Sequence, residues 1–222
     1  MISYFHKSES PIFSILICSL HKREEFLKRL LNILRPQLTD QINVIMNIDS
    51  GEISIGAKRN QLVDESLKDT SKYISFIDDD DRVSDDYCSR IITAIGIKDG
   101  AEEVDCIGLE GIITFDGANP KKFIHSLKYT EWFEKDSIFY RNPNHLNPIK
   151  KEIACQARFP EINHGEDKDF SVKVLPFLKK ENHLEGEPIY FYEYISNKPK
   201  KTTHRERMRN RILARTNRPR PR

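Results

Sequence analysis

The sequence predicts an α/β fold in which a mostly parallel β-sheet is flanked by helices, and three observations carry that expectation. Short apolar runs rich in β-forming residues recur along the first half of the chain. Segments with apolar residues at helical spacing separate them, the alternation that parallel strands need because each crossover requires a connecting element. The third apolar run ends in Asp78-Asp79-Asp80-Asp81, and ligand sites of such sheets lie at the carboxyl ends of the strands.

Phe13-Ser-Ile-Leu-Ile-Cys18 is apolar apart from Ser14, the pattern of a strand buried on both faces. After a polar break at residues 19–22, Phe26, Leu27, Leu30, Leu31 and Leu34 share a helical stripe until Pro36 stops the run. Ile42-Asn-Val-Ile-Met-Asn-Ile48 is the second strand, closed by Asp49-Ser50-Gly51, and residues 57–67 read as a helix behind a Gly-containing loop. Residues 73–77 are the third strand, 87–97 an amphipathic helix and 104–113 a fourth strand. Residues 116–150 are rich in Asn, Pro, Lys and aromatics without a clear period, so loops are expected there with one short strand around 138–140. Farther on, 170–178 reads as a helix, 188–195 as a Tyr-rich strand, and 203–215 as a short helix with Met208, Ile212 and Leu213 on one side.

At 222 residues with 38% apolar content the chain is long enough to bury one core of the larger kind. Charge divides it sharply. Residues 198–222 hold three Lys and eight Arg against Glu206, a surplus of ten on a chain whose total is +2, so residues 1–197 carry −8. An acidic body with a basic tail suggests two jobs on one chain. The tail suits a polyanion, either DNA through counterion release or an anionic lipid surface, unless it is only a solvated solubility tail. Cys18, Cys88, Cys106 and Cys155 are far apart and form no CxxC pair, so they are expected as reduced thiols. The apolar run at 11–20 is too short to span a membrane and lacks a small-residue cleavage site. The expected location is cytoplasmic, at a membrane surface or on nucleic acid where the tail would hold the protein.

Four consecutive carboxylates repel one another by about 4 kcal/mol per close pair at an effective dielectric near 20. A divalent cation relieves that repulsion, and oxygen ligands select Mg²⁺ or Mn²⁺, with substrate phosphates filling the remaining positions. An acid run is by itself most often a solvated turn. Its position directly after an apolar strand makes this one a candidate site.

Phe76-Ile-Asp-Asp-Asp-Asp81, followed by Ser84-Asp-Asp-Tyr87 and a helix, resembles the Phe-Leu-Asp-x-Asp-Asp stretch of family 2 glycosyltransferases with the GT-A fold. Phe13-Ser-Ile-Leu-Ile-Cys-Ser19 with His21-Lys-Arg23 is similar to that family's first strand and donor-binding loop, and Gly56-Ala-Lys-Arg-Asn60 to its Gly-rich loop leading to Ala-Arg-Asn. The likeness covers residues 12–195. Two positions depart from the pattern: Asp49 alone precedes Ser50-Gly51 where the family has paired acids, and Lys58 stands in place of Ala.

The resemblance implies a GT-A domain over residues 1–197, with a donor and metal half at 12–115, an acceptor half at 116–197, and the basic tail at 198–222. It implies a sugar transferred from a nucleotide diphosphate donor, UDP-linked by preference, to an acceptor hydroxyl, with Mn²⁺ or Mg²⁺ as cofactor. Asp80 is implied as direct metal ligand and Asp78 as a partner of the ribose or, through water, the metal. Cys18, Ser19, Asp49, Lys58, Arg59, Asn60, Asp78 and Asp79 are the expected donor contacts. His164-Gly-Glu-Asp-Lys-Asp-Phe170 resembles the Glu-Asp element that supplies the catalytic base, which points to Asp167 and an inverting single displacement. Acids at a helix start also serve as plain caps. His204 is a further implied metal ligand, although its neighbours Lys200-Lys-Thr-Thr-His-Arg205 read equally as an exposed basic stretch. Trp132, Tyr190, Tyr192 and Tyr194 are either sugar-stacking residues or core.

Two other readings compete. Asp79-Asp80-Asp81-Arg82-Val83 satisfies the Asp-x-Asp-x-Val pattern of haloacid-dehalogenase-type phosphatases, yet two strand–helix units precede it where that family places its nucleophile on the first strand. The tail alone would make a nucleic-acid-binding module. Processive polysaccharide synthesis is disfavoured, because its Gln-x-x-Arg-Trp element is not found.

Overall fold

Each apolar run of the first half becomes a strand packed on both faces, as the computed structural model of residues 1–96 and 103–195 shows. In chain order the elements are β1 (Ile2–His6), β2 (Phe13–Leu20), α1 (Glu24–Leu34), β3 (Ile42–Asp49), α2 (Ile55–Ser66), β4 (Tyr73–Phe76), β5 (Arg82–Val83) and α3 (Tyr87–Ile95). The second half adds β6 (Cys106–Phe115), β7 (Ala118–His125), β8 (Phe133–Lys135), β9 (Ile138–Arg141), β10 (Ile149–Lys150), α4 (Lys151–Ala157), α5 (Glu166–Val174), β11 (Glu181–His183) and β12 (Tyr190–Tyr194). The strands lie in the order β1-β3-β2-β4-β10-β6-β7-β9-β8, with β11 and β12 also along β6 and β5 against β12.

Alternation along β2 explains why its sequence is apolar throughout. Ile15 and Ile17 pack with Leu27, Leu30 and Leu34 of α1 on one face, while Leu16 and Cys18 pack with Leu62 and Val63 of α2 on the other. A fully buried aliphatic side chain such as Leu30 contributes about 1.5–3 kcal/mol relative to exposure, so two faces need two apolar sets. Gly56 lies in the first turn of α2 against the segment around Pro160, and a Cβ there would meet the Pro160 carbonyl oxygen at 1.8 Å. Only glycine fits, which accounts for the start of the Gly-Ala-Lys-Arg-Asn stretch.

The sheet is parallel where β3, β2 and β4 meet, as expected, and mixed beyond. β1 runs antiparallel to β3, and β10 antiparallel to both β4 and β6. The largest departure from expectation is residues 116–150, which hold β7, β8, β9 and β10 where one short strand was expected. β7 reads as Ala-Asn-Pro-Lys-Lys-Phe-Ile-His and is exposed along its first three residues, so it carries little apolar signal. Pairing comes from its turn: Asp116 and Gly117 both have positive φ, and Phe115 faces Ala118, the two-residue hairpin that such a pair favours. Asp136 and Ser137 make the same kind of turn between β8 and β9. Sequence periodicity also missed β1, β11 and α4, each only three to seven residues long. Helix α5 starts four residues before its expected position and gives way at Leu175–Phe177 to a 3₁₀ turn.

None of the described helices is long and apolar enough to cross a membrane. The expected helix at 203–215, the basic tail and His204 lie outside the described residues.

Candidate active site

The carboxyl ends of β2, β3 and β4 come together with the start of α5 around a cleft of about 530 Å³. Its lining includes Cys18, Ser19, Arg23, Lys58, Arg59, Asp78, Asp79, Asp80 and Glu166. Parallel pairing makes this convergence, because strands running the same way end on the same sheet edge.

The four aspartates, adjacent in sequence, have four different environments. Asp78 accepts a hydrogen bond from Arg59 at 2.9 Å, and its other oxygen lies 3.4 Å from His145 Nε2. Burial pushes the Asp78 carboxyl up, but Arg59 and His145 outweigh it and hold it well below the usual carboxylate range. Asp79 is buried and grips Arg23 through both oxygens, at 2.7–3.0 Å, while accepting from the Ser19 hydroxyl at 2.6 Å. Asp80 meets the same guanidinium at 2.7 Å through Oδ2. Burial raises its pKa, Arg23 opposes, and the neighbouring Asp78 and Asp79 leave it above the ordinary value. Asp81 is wholly buried, accepting from the Tyr190 hydroxyl at 2.7 Å and from the Glu193 N–H at 3.2 Å. Burial, reinforced by Asp78, drives its pKa well above the carboxylate range. Repulsion within the run is thus relieved largely by two guanidiniums and one buried acid, a solution that the bare sequence did not suggest.

Arg59 joins the two halves of the molecule. Its guanidinium donates to Asp78 with one nitrogen and to Glu166 of α5 with another, at 2.9 and 2.8 Å, while lying over the rings of Phe76 and Phe159. Lys58, also buried, pairs with Asp49 and donates to the Ser19 carbonyl at 2.8 Å. Burial pushes Asp49 up, but Lys58 and the Gly51 N–H hold it below the ordinary value, and its Oδ2 is buried without a hydrogen-bond partner. Cys18 sits in the wall with its thiol pushed up to about 12 by burial, which makes it packing and not a nucleophile.

Most expected donor residues therefore meet in one cleft: Cys18, Ser19, Lys58, Arg59, Asp78, Asp79 and Asp80 line it, and Asp49 adjoins it through Lys58. Asn60 does not line it. Its amide bonds the N–H and carbonyl of Phe159, both at 2.9 Å, so it pins the chain leading to α5. Within the Glu-Asp pair, Glu166 lines the cleft, whereas Asp167 is half-buried beside it and accepts from the Lys168 N–H at 2.8 Å. Gly165, at φ +83°, makes the turn that presents both. Sequence reasoning placed Arg23 only within a stretch resembling a donor-binding loop and left His145 without a role. Arg23 was visible three residues beyond a strand end, but no local pattern links His145 to Asp78. Tyr190 is core, as its apolar neighbours allowed, and its hydroxyl serves Asp81. The phosphatase pattern needs both Asp79 and Asp81 to face a ligand, and Asp81 does not.

No protein-family model matches the chain, and no curated protein matches it in sequence. Its structure is similar to that of S. aureus TarS, with a TM-score of 0.54 and 13% identity over 82% of this chain and 36% of that one. TarS 1-349 in complex with UDP gives 0.54 and 14% identity over 82% and 60%, and its complex with UDP-GlcNAc 0.53 and 11% over 84% and 59%. The chain thus spans little more than a third of TarS and about 60% of the shorter form. The shared architecture is the GT-A fold.

Proposed function

We propose that this chain is a metal-dependent glycosyltransferase, akin to family 2, which moves a sugar from a UDP-linked donor to an acceptor hydroxyl with inversion. The observation that carries the reading is the cleft itself. Three permanent cations, Arg23, Lys58 and Arg59, stand among five carboxylates, Asp49, Asp78, Asp79, Asp80 and Glu166. Such a cleft recognises a diphosphate well only if a further cation offsets the acidic surplus. The complexes of TarS with UDP and UDP-GlcNAc support the nature of the donor.

The residues fit a hard divalent ion. Asp80 meets Arg23 through Oδ2 alone, which leaves its other oxygen for a ligand. Asp78 supplies carboxylate oxygen beside it. No group of three His, Cys, Asp or Glu side chains suited to a metal occurs among the described residues, so a Mg²⁺-type ion here would need donor phosphates as its other ligands. Held by Asp80 and Asp78, Mn²⁺ or Mg²⁺ would neutralise charge on the departing diphosphate. Asp79 holds Arg23 toward the cleft, and Asp49 holds Lys58 there. Asp167 takes the proton of the acceptor hydroxyl as its oxygen bonds the anomeric carbon and the carbon–oxygen bond to UDP breaks. The electron pair leaves on phosphate oxygen. A single displacement inverts the centre.

Thermal unfolding with UDP, with and without Mn²⁺, tests the reading. Ligand at 100 times its Kd should add about 2.7 kcal/mol of stability, and the Mn²⁺ arm should bind more tightly. No protection by UDP under either condition overturns the donor assignment, and retention of anomeric configuration in the product overturns the mechanism.

A further inference from the structure

A second concavity lies away from the acidic cleft, on the strands of the region that sequence periodicity failed to resolve. Trp132, Phe133, Glu134, Phe139, Tyr140 and Arg141 line a groove of about 280 Å³. None of its rings is fully buried, although Phe139 packs against the core. Phe133 is 39% exposed and stacks on Tyr140 with centroids 4.9 Å apart, and Tyr129 meets Tyr140 edge-on at 5.0 Å. An exposed flat ring such as Phe133 suits the apolar face of a sugar ring.

The charge of the groove is equally particular. Glu134 is already paired with Lys121. Arg141 places its guanidinium over Trp132 at 4.3 Å, and among the described residues it makes no salt bridge or side-chain hydrogen bond. Burial lowers its pKa, and Asp167 is the acid whose charge opposes that shift. A half-buried guanidinium with unused donors is a ready partner for a phosphate or carboxylate, which it binds through two parallel N–H bonds.

Helix α5 ties the groove to the cleft. The Trp132 indole donates to the Ser171 hydroxyl at 3.1 Å, and the Asn142 amide donates to the Ser171 carbonyl at 2.7 Å. Ser171 is one helical turn from Asp167, on the same face. Asp167 in turn acts electrostatically on both Arg59 in the cleft and Arg141 in the groove.

We infer that this groove is the acceptor subsite, and that the acceptor is a sugar bearing an anionic group, stacked on the exposed Phe133 ring beside Trp132 and Tyr140 with its anion on Arg141. The inference rests on the glycosyltransferase reading for the word acceptor, but binding of an anionic sugar can be measured without it.

Trp132 is the one tryptophan of the chain, so its emission reports on the groove directly. Glucose 6-phosphate, glucuronate, glucose and inorganic phosphate are titrated into the full chain without UDP. A saturable change in emission is expected with at least one of the two anionic sugars, at least tenfold tighter than with glucose or inorganic phosphate. Whichever anionic sugar binds more tightly identifies phosphate or carboxylate as the recognised group. Arg141→Met should remove the preference over glucose, and Phe133→Ala, at an exposed position, should weaken the anionic sugar about fivefold. Thermal protection by UDP is followed in both variants and should be unchanged. The inference is overturned if neither anionic sugar alters the emission, if inorganic phosphate binds as tightly, or if neither variant changes the affinity. If UDP gives no protection while the anionic sugar binds, the donor reading fails and the groove stands as a carbohydrate site.

Discussion

The acidic cleft and the aromatic groove, joined through α5, are built in opposite ways. In the cleft, Arg23, Lys58 and Arg59 are each held by carboxylates before any ligand arrives. In the groove, partly exposed rings surround an Arg141 that pairs with no carboxylate among the described residues. Fixed, mutually supporting charges suit one recurring polyanion, because they need not reorganise when it binds. Open rings with a single unsatisfied cation suit a ligand recognised by stacking and one charge. The contrast teaches that a charge already paired in the free protein positions its neighbours, whereas an unpaired one is free to read a ligand.

The largest effect should come from breaking the paired side. Arg59→Met leaves Glu166 as a buried carboxylate without its partner and Asp78, which is partly exposed, with His145 alone, which should cost about 3 kcal/mol in urea unfolding. A loss below about 1 kcal/mol would mean that the pair is a surface contact and the cleft is not preorganised. Next is the metal ligand. Asp80→Asn should lower transfer by about 10²- to 10³-fold and abolish Mn²⁺-dependent tightening of UDP, with the fold intact by circular dichroism. Turnover at the wild-type level under controlled Mn²⁺ would remove Asp80 from the reaction.

Asp167 stands between the two regions and gives a sharper test. Asp167→Asn should reduce transfer by about 10²-fold while UDP affinity stays within about twofold, the pattern of a residue that acts only in the chemical step. Glu166→Gln should differ, because Glu166 holds Arg59 and faces the cleft; weaker UDP binding is its expected signature. If the two variants lose the same parameter, the division of labour proposed for the Glu-Asp pair is wrong.

The smallest effect is a stability slope. His125 is fully buried beside the groove, donating to Asn147 at 3.2 Å with Nε2 unpartnered. Burial, then the charges of Arg141 and His145, depresses its pKa well below 6.5, against the raising effect of the Asn147 bond. A depressed folded pKa contributes stability above the unfolded value that is lost as pH falls, since only the unfolded chain takes up the proton at first. Stability should therefore decline below about pH 6.5, by at most about 1.4 kcal/mol per pH unit. His125→Gln should flatten that part of the profile, and an unchanged slope would assign the decline to other groups.

What could be read before folding depended on the range of the interaction involved. The β2–α1–β3–α2–β4 order and the acid run at a strand end were legible because periodicity and burial on two faces are written locally. So were the meeting of Ser19, Lys58 and Arg59 with Asp78 and Asp79 in one cleft, once parallel strands brought their carboxyl ends to one edge. The strands of 116–150 were not, although Asp116-Gly117 carried a hairpin signal, because edge strands with Lys and Asn on their faces lack apolar alternation.

The sequence by itself determined the alternating elements and the acidic strand end, since each follows from residue type and spacing. Only the tertiary structure decided which aspartate faces the cleft, which is buried, and which member of the Glu-Asp pair holds Arg59. Those outcomes depend on partners 19 to 112 residues away, such as Arg59 for Asp78, Arg23 for Asp79 and Glu193 for Asp81. A carboxylate's charge state and aim are set by whatever donor reaches it in space, and adjacency in sequence carries no record of that.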